Sequence, residues 1–258
     1  MNFTFYKYQG TGNDFVMIDN RTKIFPNKET DKIAKICDRH FGIGADGLIL
    51  LENDNEADFK MVYYNADGNE STMCGNGGRC IVAFAKKLGI IDSKTTFNAI
   101  DGLHKASINN DIVSLKMIDV EDINVQEGFT FLDTGSPHHI EVVTNLNEYP
   151  VFEKGRKIRN EVYGIKGSNV NFIEPISDSS FRIRTYERGV ENETLACGTG
   201  VTAAAIAMHK NRLTSSTKVT LIVEGGTLEV DFDVDGSTYK NVILSGPATF
   251  VFKGNITV

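Results

Sequence analysis

Met73-Cys74-Gly75-Asn76-Gly77-Gly78-Arg79-Cys80-Ile81-Val82-Ala83-Phe84-Ala85-Lys86 and Ala196-Cys197-Gly198-Thr199-Gly200-Val201-Thr202-Ala203-Ala204-Ala205-Ile206-Ala207-Met208-His209 are the two stretches that decide the fold. Each reads Cys-Gly-x-Gly and runs on into small and apolar residues. Cys197 lies 123 residues beyond Cys74 (197 − 74), close to half of a 258-residue chain. Each copy also follows a strand-like run and a turn, Asn65-Ala66-Asp67-Gly68 in the first and Glu187-Arg188-Gly189 in the second. The simplest reading is two similar halves, each carrying one cysteine just ahead of a central helix. Helices that are apolar almost all round belong inside their sheets rather than on a surface.

Outward from these stretches, short β-branched and aromatic runs dominate. Phe15–Asp19, Leu48–Leu51, Phe59–Tyr64, Ile112–Met117, Phe181–Tyr186, Val219–Val223, Leu228–Phe232 and Phe250–Phe252 read as strands. Glu224-Gly225-Gly226-Thr227, between two of them, reads as a hairpin turn. Three segments read as helices: Lys28–Asp38, with Ile33, Ile36 and Cys37 on one face, then Gly75–Leu88 and Gly198–Lys210. Few helices among many antiparallel-looking strands predict an α/β (α+β) protein of two pseudo-symmetric halves, each a mostly antiparallel sheet wrapped around a central helix. The halves are expected over 1–117, with the terminal strand (246–258) returning to it, and over 118–245.

Composition narrows the class. Hydrophobic residues at 41% and charged residues at 24% exclude a disordered chain, a fibrous repeat and a coiled coil. A net charge of −7 without a Lys/Arg run argues against a nucleic-acid partner. No apolar run approaches the ~18 residues of a membrane span, and the start MNFTFYKYQGTGNDF does not read as a secretory signal. A cytoplasmic protein with no membrane partner is expected. The four cysteines include no Cys-x-x-Cys pair, and the five histidines include no His-Glu-x-x-His, so no metal site is expected.

A cysteine at a helix start sits where the macrodipole favours negative charge, which lowers a thiol pKa from its free value of about 8.5. Glycine beside it lets the backbone approach a ligand, so the same turn can hold a carboxylate with its amides. Two such turns suit stereochemical inversion: one thiolate removes a proton from a carbon and the other thiol returns one to the opposite face, while amide donors stabilise the carbanion. Cys37, on the apolar face of its helix, and Cys80, inside the second helix, read as packing residues. Gly42-Ile43-Gly44-Ala45-Asp46-Gly47 spells Gly-x-Gly-x-x-Gly, yet a helix precedes it and a strand follows, the reverse of a dinucleotide site, so nicotinamide binding is rejected there.

At this point the chain resembles the diaminopimelate epimerase family through nearly its whole length. The resemblance runs through Gly12-Asn13-Asp14-Phe15, Gly42-Ile43-Gly44-Ala45-Asp46, Asn65-Ala66-Asp67-Gly68, Cys74-Gly75-Asn76-Gly77-Gly78-Arg79-Cys80, Pro137-His138, Asn169-Val170-Asn171-Phe172, Glu187-Arg188-Gly189, Glu193-Thr194 and Cys197-Gly198-Thr199-Gly200, in family order. It implies an epimerase that interconverts LL- and meso-diaminopimelate, on the route to lysine and peptidoglycan precursors, with no cofactor and no pyridoxal phosphate. It implies that Cys74 and Cys197 are the acid–base pair, with His138 and Glu187 near the thiols and tuning them. Substrate binding falls, by the same resemblance, to Asn13, Asn65, Gly75, Asn76, Asn169, Glu187, Arg188, Gly198 and Thr199. Arg188 is suited to gripping a distal carboxylate bidentately. On their own, the asparagines also read as turn formers.

Three positions depart from the family pattern. Gly47 stands where some members carry a substrate-contacting Gln, Ser136 precedes Pro137 where Asn is usual, and Val190-Glu191-Asn192 lengthens by one the loop after Gly189. Two other readings stay open on the residues alone: a proline-racemase-like isomerase, and a thiol redox sensor or binding protein using the same two cysteines. Oligomeric state is open, a homodimer included.

Overall fold

The computed structural model describes residues 2–26 and 29–257; Lys28, where the first helix is expected to start, lies outside them. The chain forms two compact units, Met1–Leu115 with Gly246–Val258, and Lys116–Ser245.

The first unit contains β1 (Asn2–Gly10), β2 (Asn13–Asp19), α1 (Thr30–Cys37), β3 (Gly47–Glu52), β4 (Phe59–Asn65), the two-residue β5 (Glu70–Ser71), α2 (Gly75–Lys87), β6 (Lys94–Ala99), β7 (Gly102–Asn109), β8 (Ile112–Lys116) and the last strand, β18 (Thr249–Thr257). Its strand order is β18-β1-β2-β3-β4-β6-β7-β8, with β5 clipped to β4. The pairs β2·β3 and β4·β6 are parallel and the others antiparallel. Every residue of β3, Gly-Leu-Ile-Leu-Leu-Glu, is buried, as befits a strand covered on both faces. Helix α2 touches β18 and β1 near one end of this order and β7 near the other, so the sheet curls around it.

The second unit repeats that plan with β9 (Ile123–Gln126), β10 (Phe129–Asp133), β11 (Pro137–Val142), α3 (Val151–Glu161), β12 (Asn169–Ser177), β13 (Ser180–Glu187), the short β14 (Asn192–Thr194), α4 (Gly198–Lys210), β15 (Lys218–Val223), β16 (Gly226–Asp235) and β17 (Thr238–Pro247). The order is β9-β10-β11-β12-β13-β15-β16-β17, with β14 clipped to β13. Again two pairs are parallel, β11·β12 and β13·β15. Helix α4 touches strands from β10 to β16. Its residues from Gly200 to Met208 are all buried, while Thr199 at the start and His209 and Lys210 at the end reach toward the surface.

Rank for rank, the two sheets have the same topology. Each parallel pair is joined by a segment containing a helix, because parallel neighbours require a crossover that a tight turn cannot make. Each sheet is thus mostly antiparallel, as expected, with two parallel crossovers per unit that the strand runs alone do not reveal. Glu224 and Gly225 do form the expected two-residue turn, with Val223 paired to Gly226.

Helix α3 was not legible in the sequence, and its composition explains why. Of its residues only Val151 and Gly155 are buried, with Ile158 partly buried against the same cluster, so its apolar stripe is thin and has a glycine at its centre. Gly155 is the packing point: a Cβ there would lie 2.3 Å from Cβ of Tyr186 on β13. Among the described residues, no helix is long and apolar enough to cross a membrane.

Candidate active site

Cys74 is the N-cap of α2 (φ −99°, ψ 147°) and Cys197 the N-cap of α4 (φ −121°, ψ 111°). Their carbonyls accept the first intrahelical bonds, from Gly78 N at 2.8 Å and from Val201 N at 2.9 Å. The Cys74 sulfur also accepts from Gly77 N at 3.2 Å. Helix geometry leaves the N–H groups of a first turn without an intrahelical carbonyl, so both cysteines cap the positive end of a dipole, although the Cys197 side chain makes no such capping bond. The second glycine of each motif has a steric reason. A Cβ on Gly77 would come within 3.2 Å of the Cys74 sulfur, and one on Gly200 within 2.5 Å of Asn171 Oδ1.

In the first unit the helix start is braced by charge. Arg79 is wholly buried, with hydrogen bonds to Asn76 Oδ1 (3.0 Å), Thr11 Oγ1 (3.1 Å), Gly75 O (3.2 Å) and Pro247 O (3.3 Å). Asn76 in turn donates to Asn13 Oδ1 at 3.3 Å, and Asn13 donates to Asp46 Oδ2 at 2.5 Å. Asp46 is paired with Arg39 (2.7 Å), which also holds Asp14, itself 2.7 Å from Lys7. Burial works to raise the Asp14 pKa, but the hydrogen bonds and charges of Arg39 and Lys7 hold it below the ordinary carboxylate range. The glycine-rich loop at 42–47 is part of this brace. Its amides at Ile43, Gly44 and Ala45 are spent on the Ile36 and Cys37 carbonyls that end α1, which leaves no phosphate cradle.

In the second unit the brace is neutral. His138, on β11, is fully buried; burial first, and then the charge of Arg188, push its pKa down to about 3, so the ring is uncharged at neutral pH. Its Nε2 lies 2.9 Å from Thr199 Oγ1 and 3.0 Å from Ser136 Oγ, and Thr199 Oγ1 lies 3.4 Å from the Cys197 sulfur. Asn169 donates to Ser136 Oγ and to Pro137 O, and accepts from Arg188 N at 2.9 Å. Glu187 closes β13 and accepts from Thr194 at 2.9 Å. Arg188 is exposed and its guanidinium donates to Lys166 O. The lengthened loop is held by Glu191, which adopts positive φ (55°) and accepts from Gly189 N, Arg159 and Tyr186.

The structure thus gathers Asn13 and Asn76 near one helix start, and Ser136, His138, Asn169 and Thr199 near the other. Asn65 is exposed at the end of β4, in a turn closed by Gly68 N bonding to its carbonyl. Gly47 has no room for a side chain, since a Cβ would meet the Tyr63 ring and Tyr64 O at 2.5 Å. Cys37 and Cys80 are buried, and burial pushes each thiol up to about 12, which leaves both inert. Sequence reasoning missed Asn171, Arg79 and Asp46 as parts of the brace. Two of them leave a signal: Arg79 is the lone charge inside an otherwise buried turn, and Asn171 shares a strand face with Asn169 by the two-residue period.

Two units of one topology, each opening a buried helix with a cysteine, define a duplicated α/β fold. Solved structures share the fold along the whole chain. The Bacillus anthracis phenazine biosynthesis protein of the PhzF family superposes with a TM-score of 0.79 at 13% identity, covering 100% of both chains. A hydroxyproline epimerase from Agrobacterium vitis superposes with a TM-score of 0.71 at 16% identity, covering 99% of this chain and 92% of that one. Sequence goes further than shape. The profile of the family described as diaminopimelate epimerase matches residues 5–120 and 130–251. The diaminopimelate epimerase of Flavobacterium psychrophilum is 62% identical over 253 residues, 97% of this chain and 99% of that protein. That of Aquifex aeolicus is 39% identical over 278 aligned positions, 98% and 97% of the two chains. The chain belongs to the diaminopimelate epimerase family.

Proposed function

We propose that this protein interconverts LL- and meso-diaminopimelate without a cofactor, with Cys74 and Cys197 as its two acid–base groups. The observation that carries the reading is the placement of both cysteines as N-caps of equivalent buried helices, in a chain 62% identical to a diaminopimelate epimerase. One sulfur, as thiolate, takes the α-proton; the other, as thiol, delivers a proton to the opposite face, which inverts the carbon. The negative charge that builds on the reacting carboxylate is met by the amides of Gly75, Asn76, Gly198 and Thr199. Arg188 takes the distal carboxylate, and Asn65 and Glu187 flank the substrate's polar end.

Asn13 and Asn169 are committed to intramolecular hydrogen bonds. They bind substrate by exchanging those bonds for similar ones, at little net cost. His138 and Glu187 set the thiols' environment. Free cysteines throughout fit a reducing, cytoplasmic setting. Neither a monomer nor a homodimer conflicts with this chemistry.

The test is incubation of the metal-free protein with LL-diaminopimelate in D₂O, followed by chiral and mass analysis. Early product carries deuterium at the inverted carbon while recovered substrate does not, and Cys74→Ala and Cys197→Ala each abolish inversion. Comparable deuterium in recovered substrate overturns the two-base reading, and faster turnover of proline overturns the substrate.

A further inference from the structure

Asn171, the third residue of β12, is completely buried, and its three hydrogen bonds fix which way its amide faces. Its Oδ1 accepts from Thr185 Oγ1 at 2.9 Å, while its Nδ2 donates to His139 O at 3.1 Å and to His138 Nδ1 at 3.1 Å. Turning the amide over would set Oδ1 against the His139 carbonyl, two acceptors face to face. His138 Nδ1 is therefore an acceptor, and the neutral ring carries its hydrogen on Nε2.

The remaining hydrogens can then be traced. Asn169 Nδ2 donates into Ser136 Oγ at 3.2 Å, with its own orientation fixed by the Arg188 amide on Oδ1. Ser136 Oγ has two further neighbours, His138 Nε2 and Thr199 Oγ1, each at 3.0 Å. Because Nε2 already carries a hydrogen, the Ser136 hydroxyl has one acceptor there, Thr199 Oγ1. Two hydroxyls cannot both donate along the line that joins them, so the Thr199 hydrogen points elsewhere, and the Cys197 sulfur at 3.4 Å is the acceptor it meets.

We propose that Asn171, acting through the tautomer of His138, makes the Thr199 hydroxyl a donor to Cys197 and so favours the thiolate of that sulfur over the thiol, its proton passing to water, before substrate arrives. Asn171 and His138 are positioning residues, and Thr199 delivers their effect to the sulfur. The assignment rests on the reading of Cys197 as an acid–base group, but its test needs no turnover. Burial, and after it the field of Arg188, disfavour an imidazolium and keep the ring neutral, which leaves the choice of tautomer to the Asn171 hydrogen bond.

Three variants of the full chain test it. Thr199→Val removes the hydroxyl with little change of shape, Thr199→Ser keeps it, and Asn171→Asp puts an acceptor against His138 Nδ1, which moves the hydrogen there and turns Nε2 into a competitor for the Thr199 hydrogen. Nitrogen-15 spectra of histidine-labelled protein are expected to show His138 with hydrogen on Nε2, moving to Nδ1 in Asn171→Asp. Iodoacetamide labelling, read peptide by peptide, is expected to show the half-maximal pH for Cys197 rising by about one unit in Thr199→Val, the low end for a charged hydrogen bond. Asn171→Asp should raise it similarly and Thr199→Ser should restore it, while Cys74 labelling, read alongside, stays at the unmodified protein's value. A wild-type His138 with hydrogen on Nδ1 overturns the proposal. So does a Thr199→Val protein whose Cys197 labels as the wild type does, whatever the fate of the Asn171 variant.

Discussion

Gly200→Ala is the smallest change that strikes the second unit's brace, since it adds one methyl group. That carbon would lie 2.5 Å from Asn171 Oδ1, 3.2 Å from His138 Cε1 and 3.4 Å from Cys197 Cβ. Asn171 is pinned by its bonds to Thr185, His139 and His138, so it cannot swing aside as a surface side chain would. Relieving the contact requires α4 and β12 to part by roughly 1 Å. Overpacking of this kind costs about 1–3 kcal/mol, while alanine in place of glycine inside a helix returns about 1 kcal/mol. The net loss is at most ~2 kcal/mol, or a fall in Tm of no more than about 8 °C at ~2–4 °C per kcal/mol. Catalysis is far more sensitive, because a misplacement of about 1 Å typically costs ~10²-fold in rate. Calorimetry beside an inversion assay separates the two: the variant should remain folded at 25 °C with kcat reduced about a hundredfold. A variant with lowered Tm but wild-type kcat would refute the reasoning, since the Asn171–His138 packing would then be irrelevant to Cys197.

Arg79→Met strips the hydrogen-bond donors from three buried acceptors, Asn76 Oδ1, Thr11 Oγ1 and Gly75 O, and from the half-buried Pro247 O. Urea unfolding should show a loss of about 2–4 kcal/mol, and a loss under 0.5 kcal/mol would mean these groups find other partners. His138 makes the fold acid-sensitive in a definite direction. Its folded pKa, about 3, lies below the ordinary 6.5, so its contribution to stability is complete above pH 6.5 and drains away as pH falls from there toward 3. The slope is about 1.4 kcal/mol per pH unit in that window, and it should vanish from the difference between pH 7 and pH 5 in His138→Gln. An identical slope in that variant would assign the acid sensitivity elsewhere.

How much of this was legible depends on whether a feature announces itself through the backbone or through side chains brought together from afar. The two central helices were readable to within a residue, because a run such as Val201–Met208 has no polar face to offer water. The strands flanking them were readable from β-branched alternation. Strand pairing was not, because direction is set by crossovers whose length, rather than composition, decides parallel or antiparallel. Asn13 and Asn169 carried no local sign that each would be spent on a partner, Asp46 in one case and Ser136 in the other, about thirty residues away. Helix α3 hid because its contact with β13 is made by the absence of a side chain at Gly155.

The same distinction explains why the internal repeat is so short. The N-cap geometry at Cys74 and Cys197, the amides of the first turn and the clearance supplied by Gly77 and Gly200 are backbone properties, and only a narrow set of residues delivers them. The bracing of each helix start demands merely that something rigid reach the residue two places beyond the cysteine from the start of the strand that leads into the first crossover. Asn13 does so for Asn76, backed by Arg79 and the carboxylates of Asp14 and Asp46; Ser136 and His138 do so for Thr199 with no charge in contact. A cationic brace and a neutral one satisfy the same mechanical need, so that part of the duplication was free to diverge. It also gives the two sulfurs unlike surroundings. The two-thiol mechanism proposed above needs its groups in different protonation states at any instant, and a charged brace at one helix start with an uncharged one at the other is a ready source of that difference.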